Sequence, residues 1–196
     1  MKIALVGYGK MGHMIEQCAK RAGHEVVATI DTFAEDASNK VPAEDAEAVA
    51  RAVKSSGAEG VIEFTHPTSV IANVKALLPL GLPLVVGTTG WNDKHAEIAE
   101  YAKKVGGTVM TAGNFSIGVN MFYKIVEEVA KIMHDYKDYD VAIWEMHHNQ
   151  KADSPSGTAL EVARRVQLAS TEKTEIVTDA YHERPAANQL HVSSTR

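Results

Sequence analysis

Cysteine is almost absent from this chain of 196 residues: Cys18 stands alone, so no disulfide can close within it, and a reducing compartment is expected. Long apolar runs are missing too. None approaches the roughly 20 residues that a membrane-spanning helix needs. No signal peptide stands ahead of the opening apolar run, Lys2 to Val6, so a cytoplasmic protein without a membrane partner is expected. Positive charge is not in excess. The formal net charge of −5 offers no reason to expect nucleic acid, although a basic pocket can sit in an acidic protein. Internal repeats and low-complexity segments are also lacking. What remains is ordinary globular material, with 45% hydrophobic and 23% charged residues, long enough for one large domain or two small ones.

The pattern of the first 113 residues alternates. Strands are expected at Lys2 to Val6, Glu25 to Ile30, Gly60 to Thr65, Pro83 to Gly87 and Thr108 to Thr111. Between them, helices are expected after Gly7 and near Ala43 to Ser55, Thr68 to Leu78 and Asp93 to Val105. The first helix places Met11, Met14, Ile15, Cys18 and Ala19 on one face and stops at Gly23. Alternation of this kind implies parallel βαβ units, hence an α/β fold with a doubly wound Rossmann sheet. After Asn114 the pattern changes. Val119, Phe122, Ile125, Val126, Val129, Ile132 and Met133 form a long apolar helical stripe. A strand over Tyr139 to His147, a helix from about Ser156 to Leu168 and strands at Glu175 to Thr178 and Gln189 to Ser194 follow. The expected division is a dinucleotide-binding domain over 1–116 and a substrate-binding α+β domain with a mixed sheet over 117–196.

Gly7-Tyr8-Gly9-Lys10-Met11-Gly12 is a dinucleotide fingerprint in its confirming context, after a strand and before a helix. The first glycine permits the tight turn, the second lets backbone approach a pyrophosphate, and the third lets helix pack on strand. Asp31 ends the second strand, where a ribose-binding acid is expected. Its carboxylate suits the 2′-hydroxyl of NADH and repels the 2′-phosphate of NADPH, while Lys10 offers that phosphate a partial counter-charge. NADH is therefore the expected cofactor, with some use of NADPH. Gly87-Thr88-Thr89 falls at the carboxyl rim of another strand, beside Phe64-Thr65, where open α/β sheets bind ligands. Ala112-Gly113-Asn114-Phe115 lies where the domains join, and Asn side chains there could anchor a carboxamide.

The densest chemistry lies in Glu145-Met-His147-His148-Asn-Gln-Lys151-Ala-Asp153-Ser-Pro155-Ser156-Gly157-Thr158-Ala-Leu160. Two imidazoles and an ammonium precede a helix start whose free N–H groups can hold an anion. That set suits an anionic substrate which must receive a proton. The residues alone also allow a blander reading, in which the histidines are core and Ser-Gly-Thr is only a helix cap. A metal site is not expected, because Cys18 is the only thiol and His134, His182 and His191 are scattered without ligand spacing.

Taken together, Gly7 to Gly12, Gly87 to Gly90, Asn114 to Asn120 and Glu145 to Leu160 resemble the 4-hydroxy-tetrahydrodipicolinate reductase family of bacterial lysine and diaminopimelate biosynthesis. The resemblance implies hydride transfer from a nicotinamide to an unsaturated cyclic acid carrying two carboxylates. It implies His147 as general acid or proton shuttle and Lys151 as a carboxylate partner that helps protonate the reduced substrate, with His148, Ser156, Gly157 and Thr158 touching substrate. The implied cofactor set is Gly7 to Gly12, Asp31, Gly87 to Thr89 and Ala112 to Phe115. A homotetramer formed through the substrate-domain sheet is implied as well. Family members continue beyond the point where this sequence ends, so a C-terminally truncated chain is expected. Two other readings compete: a dehydrogenase acting on an amino acid or semialdehyde, which leaves His147 to Leu160 unexplained, and a nucleotide-sensing protein without turnover.

Overall fold

The computed structural model describes residues 1–151 and 153–196, and Ala152, between Lys151 and Asp153, lies outside the described residues. The chain divides into two compact units, Met1–Gly113 and Asn114–Arg196.

In the first unit, β1 (Lys2–Val6), β2 (Glu25–Asp31), β3 (Asn39–Lys40), β4 (Gly60–Glu63), β5 (Leu84–Val86) and β6 (Val109–Thr111) form one sheet in the order β3-β2-β1-β4-β5-β6. Every pairing is parallel. Helices α1 (Lys10–Arg21), α2 (Ala46–Ser56), α3 (Val70–Leu77) and α4 (His95–Val105) make the crossovers. This is the doubly wound order, whose direction reverses between β1 and β4 and opens a ligand crevice at the strands' carboxyl ends. The strands are short and apolar because both faces are covered: β1 is buried from Ile3 to Val6. Val6, Ile30, Val61, Val74, Leu77, Leu84 and Val86 share one core, and Asp45 starts α2 by accepting from the Ala48 N–H at 2.8 Å.

Helix α1 turns only part of the expected face to the sheet, Ile15 and Ala19. Gly12 and Ala19 are buried, whereas Met11, Met14 and Cys18 are exposed. The reason is steric. A methyl built at Gly12 would lie 2.5 Å from the Gly7 carbonyl oxygen, so the helix approaches the strand along its smallest residues. The two-residue β3 carries too short a pattern to be read from sequence.

In the second unit, α5 (Ile117–Met133) and α6 (Gly157–Ala169) pack together, and α6 lies against a sheet of β7 (Ala142–Met146), β8 (Glu175–Val177) and β9 (Gln189–Thr195). The sheet order is β7-β9-β8. A mixed sheet was expected, but both pairings among the described residues are parallel. The cause is topological: α6 carries the chain from β7 to β8 as a crossover, and residues 178–188 return it to insert β9 between them. The long stripe also divides. Tyr123, Val126 and Ala130 face inward, Val126 and Ala130 against Ala159, Ala163 and Val166, while Phe122, Ile125, Val129, Ile132 and Met133 are exposed. No helix among the described residues is long and apolar enough to cross a membrane.

Candidate functional site

The cofactor candidates of the first unit gather at the carboxyl ends of β1, β2, β4 and β5. Gly7 has φ +92°, a left-handed backbone that favours glycine, and a methyl there would lie 2.1 Å from the Phe64 carbonyl oxygen. At Gly87 a methyl would lie 1.8 Å from the Phe64 ring. Phe64 therefore stands as a wedge between the two glycine turns, its carbonyl against one and its ring against the other. Gly9 differs. Nothing lies within 4 Å of a methyl built there, and its φ of −77° suits any residue. Nothing among the described residues demands glycine at position 9, whereas a closely approaching pyrophosphate does. On that observation the turn fits a dinucleotide.

Asp31 is wired into this turn. One carboxylate oxygen accepts from the Tyr8 N–H at 2.7 Å, and the other from the N–H groups of Phe33 and Ala34 at 2.7 and 2.9 Å. Burial works against its charge, but these donors outweigh it and hold the carboxyl below its ordinary range. The Tyr8 side chain turns inward, where its hydroxyl bonds Glu16 and its ring stacks on His13 at 4.1 Å. The Glu16 partner, with burial, pushes the phenol up to about 12. Tyr8 thus ties the turn to Asp31 through its N–H and to Glu16 through its hydroxyl. Lys10 and Met11 are exposed beside it.

Beneath Gly87-Thr88-Thr89 lies a residue that sequence reasoning missed. Glu63 is fully buried and accepts from the Thr65 hydroxyl, from the Thr88 hydroxyl at 2.7 Å and from the Asn73 amide at 3.5 Å. Burial raises its carboxyl above the ordinary range against those hydrogen bonds. Thr88 also accepts from the Thr65 N–H, and its carbonyl takes the Trp91 indole N–H, each at 2.7 Å. Its side chain is spent on structure, while Thr89 is exposed. A lone acid in the apolar run Val61-Ile62-Glu63-Phe64 was the available signal. Ala112 and Gly113 close this unit after β6, and Asn114 and Phe115 open the second. There the Asn114 side chain accepts from the Ser116 N–H at 2.8 Å.

In the second unit, β7 and α6 bring the remaining candidates together. Ser156 caps α6, accepting from the Ala159 N–H at 3.1 Å, and is itself held by Glu145 through both its N–H, at 2.8 Å, and its hydroxyl. His147 follows β7, its N–H on the Thr195 carbonyl at 3.0 Å and its Nδ1 3.2 Å from Glu145 Oε2. Lys151 Nζ lies 2.6 Å from Asp153 Oδ1, while Asp153 Oδ2 accepts from the Gly157 N–H at 3.2 Å. One carboxylate thus bridges the ammonium and the first free N–H of α6. A methyl at Gly157 would meet nothing within 4 Å, so space is open in front of this helix start. His148 is exposed, and Thr158 sits half-buried in the first turn. Burial works against the charge of Glu145, yet Ser156, Ser194 and Arg196 bring its carboxyl down to about 2. Glu145 and Asp153 were read only as parts of a motif, because their roles depend on partners in β9 and α6. Among the described residues, no group of three or more His, Cys, Asp or Glu side chains could hold a metal ion.

The family model described as dihydrodipicolinate reductase, N-terminus, matches residues 1–115, and its C-terminus counterpart matches residues 118–196. The 4-hydroxy-tetrahydrodipicolinate reductase of Christiangramia forsetii is 37% identical over 166 residues, covering 85% of this chain and 64% of that protein. That of Cupriavidus necator is 36% identical over 172 residues, covering 83% and 63%. The chain thus spans just under two thirds of the length of these curated relatives. Among solved structures, the dipicolinate-bound dihydrodipicolinate reductase from Paenisporosarcina sp. TG-14 shares the fold, with a TM-score of 0.66 at 22% identity over all of this chain and 78% of that one.

Proposed function

The chain belongs to the dihydrodipicolinate reductase family, and we propose that it reduces 4-hydroxy-tetrahydrodipicolinate to tetrahydrodipicolinate with NADH, in lysine and diaminopimelate biosynthesis in the cytoplasm. The observation that carries the substrate side is the Asp153 bridge: the chain's own carboxylate spans Lys151 Nζ and the Gly157 N–H. A pair that holds one carboxylate holds another, and a substrate carboxylate takes the place of Asp153. Charge-assisted hydrogen bonds from an ammonium and a helix N-terminus suit that exchange. His148 and Thr158 border the position, and Ser156 keeps the helix start in place.

When bound, a reduced nicotinamide supplies the hydride that adds to the unsaturated ring of the dehydrated substrate. The chain's part is to hold the dinucleotide at Gly7 to Gly12, Asp31, Gly87 to Thr89 and Ala112 to Phe115, and to deliver a proton. His147 gives that proton and Lys151, released from Asp153, assists. NADH is preferred because the ionised Asp31 at the end of β2 repels a 2′-phosphate, which Lys10 offsets in part. In this reading residues 1–116 bind dinucleotide, and residues 117–196 bind substrate and form a homotetramer. The outer face of β7, where Trp144 and Met146 are 66% and 67% exposed, is the surface that assembly would cover.

Calorimetric titration with pyridine-2,6-dicarboxylate tests the substrate side. Binding that weakens at least tenfold, about 1.4 kcal/mol, in Lys151→Ala is expected; equal binding by both proteins contradicts the proposal. Comparison of kcat/KM tests the cofactor, and equal or better use of NADPH refutes the preference for NADH.

A further inference from the structure

The acid side of the second unit is organised around Glu145, which no part of the reaction above uses. It projects from β7 with its side chain 9% exposed, and both its oxygens are occupied. Oε1 accepts from the Ser156 N–H at 2.8 Å, the Ser194 hydroxyl at 3.0 Å and the Arg196 guanidinium at 3.2 Å. Oε2 accepts from the Ser156 hydroxyl and faces His147 Nδ1 at 3.2 Å. That imidazole nitrogen is buried and has no hydrogen-bond partner among the described residues. The Glu145 carboxylate lies 3.2 Å from it, close enough to accept once the ring N–H turns into line.

Resting on the reductase reading, we infer that Glu145 is a positioning residue: it accepts from His147 Nδ1 while holding the first turn of α6 through Ser156, so that Nε2 delivers the proton. Two requirements of the reaction are met by one side chain. The ring must present a defined nitrogen, and the carboxylate-binding helix start must stay in register with it. A proton on Nδ1 lies beside an anion, so the neutral ring carries its hydrogen there and leaves Nε2 open. Protonation then adds a hydrogen at Nε2. On transfer the Nε2–H bond breaks, a C–H or N–H bond forms on the reduced substrate, and the ring returns to the Nδ1–H form until solvent reprotonates Nε2.

The surrounding charges leave this assignment intact. Just past β9, Arg196 meets Oε1, whereas the His147 contact is with Oε2. In the loop after β7, Lys151 and Asp153 pair with each other, and His148 accepts from the Gln150 N–H at 3.2 Å. The first turn of α6 carries no acidic residue. The Ser156 hydroxyl is engaged elsewhere, donating to Glu145 and accepting from the Ala159 N–H.

Long-range 1H–15N correlation spectra of the whole 196-residue chain test the inference without turnover, with His147→Gln to identify the ring signals. At a pH where the ring is neutral, the Nδ1–H tautomer is expected in the wild type, with a shift to Nε2–H in Glu145→Ala. Glu145→Gln keeps the shape without the charge. In it, kcat is expected to fall about tenfold or more while KM for NADH stays within about twofold, a split that a general loss of structure does not give. An Nε2–H tautomer in the wild type, or an unchanged Nδ1–H tautomer in Glu145→Ala, overturns the inference. The expected tautomers in a wild type that turns over no substrate support the Glu145–His147 coupling and count against the reductase reading alone.

Discussion

Substitution of alanine at Gly9 and at Gly12 should separate ligand binding from folding within a single turn. At Gly12 the added methyl lies 2.5 Å from the Gly7 carbonyl oxygen and 3.2 Å from the Tyr8 ring, both held by the sheet and the first turn of α1. The helix has to move off the strand, and overpacking of this kind costs about 1–3 kcal/mol. At Gly9 the methyl meets nothing, and φ −77° is open to alanine. There the gain from a stiffer unfolded chain, about 0.4–1 kcal/mol, offsets the poorer helix cap that alanine makes, so the net change stays within about 0.5 kcal/mol. The methyl does fill the space in which a pyrophosphate approaches. Urea unfolding and NADH fluorescence titration of both variants form the assay. Gly9→Ala should unfold with the wild type and bind NADH at least about tenfold more weakly, a loss of about 1.4 kcal/mol. Gly12→Ala should unfold early. Wild-type NADH affinity in Gly9→Ala, or equal destabilisation of the two variants, would refute the reasoning.

Gly87→Ala should destabilise the first unit by about 1–3 kcal/mol because its methyl enters the Phe64 ring. Adding Phe64→Leu should recover part of that loss, and strictly additive urea midpoints would show that the ring is not the obstacle. Glu145, held near 2 against an ordinary 4.5, should stabilise the second unit fully above about pH 4.5 and progressively less as pH falls towards 2. Trp144, the indole left after Trp91→Phe, can report this, and Glu145→Gln should flatten the dependence; an equally steep acid loss in the variant would speak against it. Glu63 has the opposite sign. Its carboxyl is raised by burial, so its contribution is complete below the ordinary carboxylate range and declines as pH rises through the raised value. Glu63→Gln should therefore gain on the wild type as pH increases, and a pH-independent difference between them would contradict this.

Much of the architecture was legible because parallel sheets announce themselves. Runs such as Ile3 to Val6 and Leu84 to Val86 are apolar throughout, and their alternation with helical stretches admits few topologies. Periodicity failed where the smallest residues decide. In α1 the larger Met11, Met14 and Cys18 form the better stripe, yet Gly12 faces the sheet because only glycine lets the helix so close. In α5 the stripe is broader than the face that α6 covers, so hydrophobicity did not say which half is buried. The candidate site was legible as residue types and spacings, and not as connections. Asp31, Glu63, Glu145 and Asp153 owe their parts to partners that no local pattern specifies: the Tyr8 N–H, the Thr88 hydroxyl, Ser156 with Arg196, and Lys151 with Gly157.

The central claim is that the second unit holds a dicarboxylate at Lys151 and the start of α6 and protonates it during reduction by NADH. NADH oxidation tests it most directly, with substrate generated in place from pyruvate and aspartate semialdehyde by the preceding synthase, and with wild type and Lys151→Ala side by side. Synthase-dependent oxidation by the wild type that falls at least about 100-fold in the variant is the predicted result. Equal oxidation by both proteins, or none by the wild type, would contradict it.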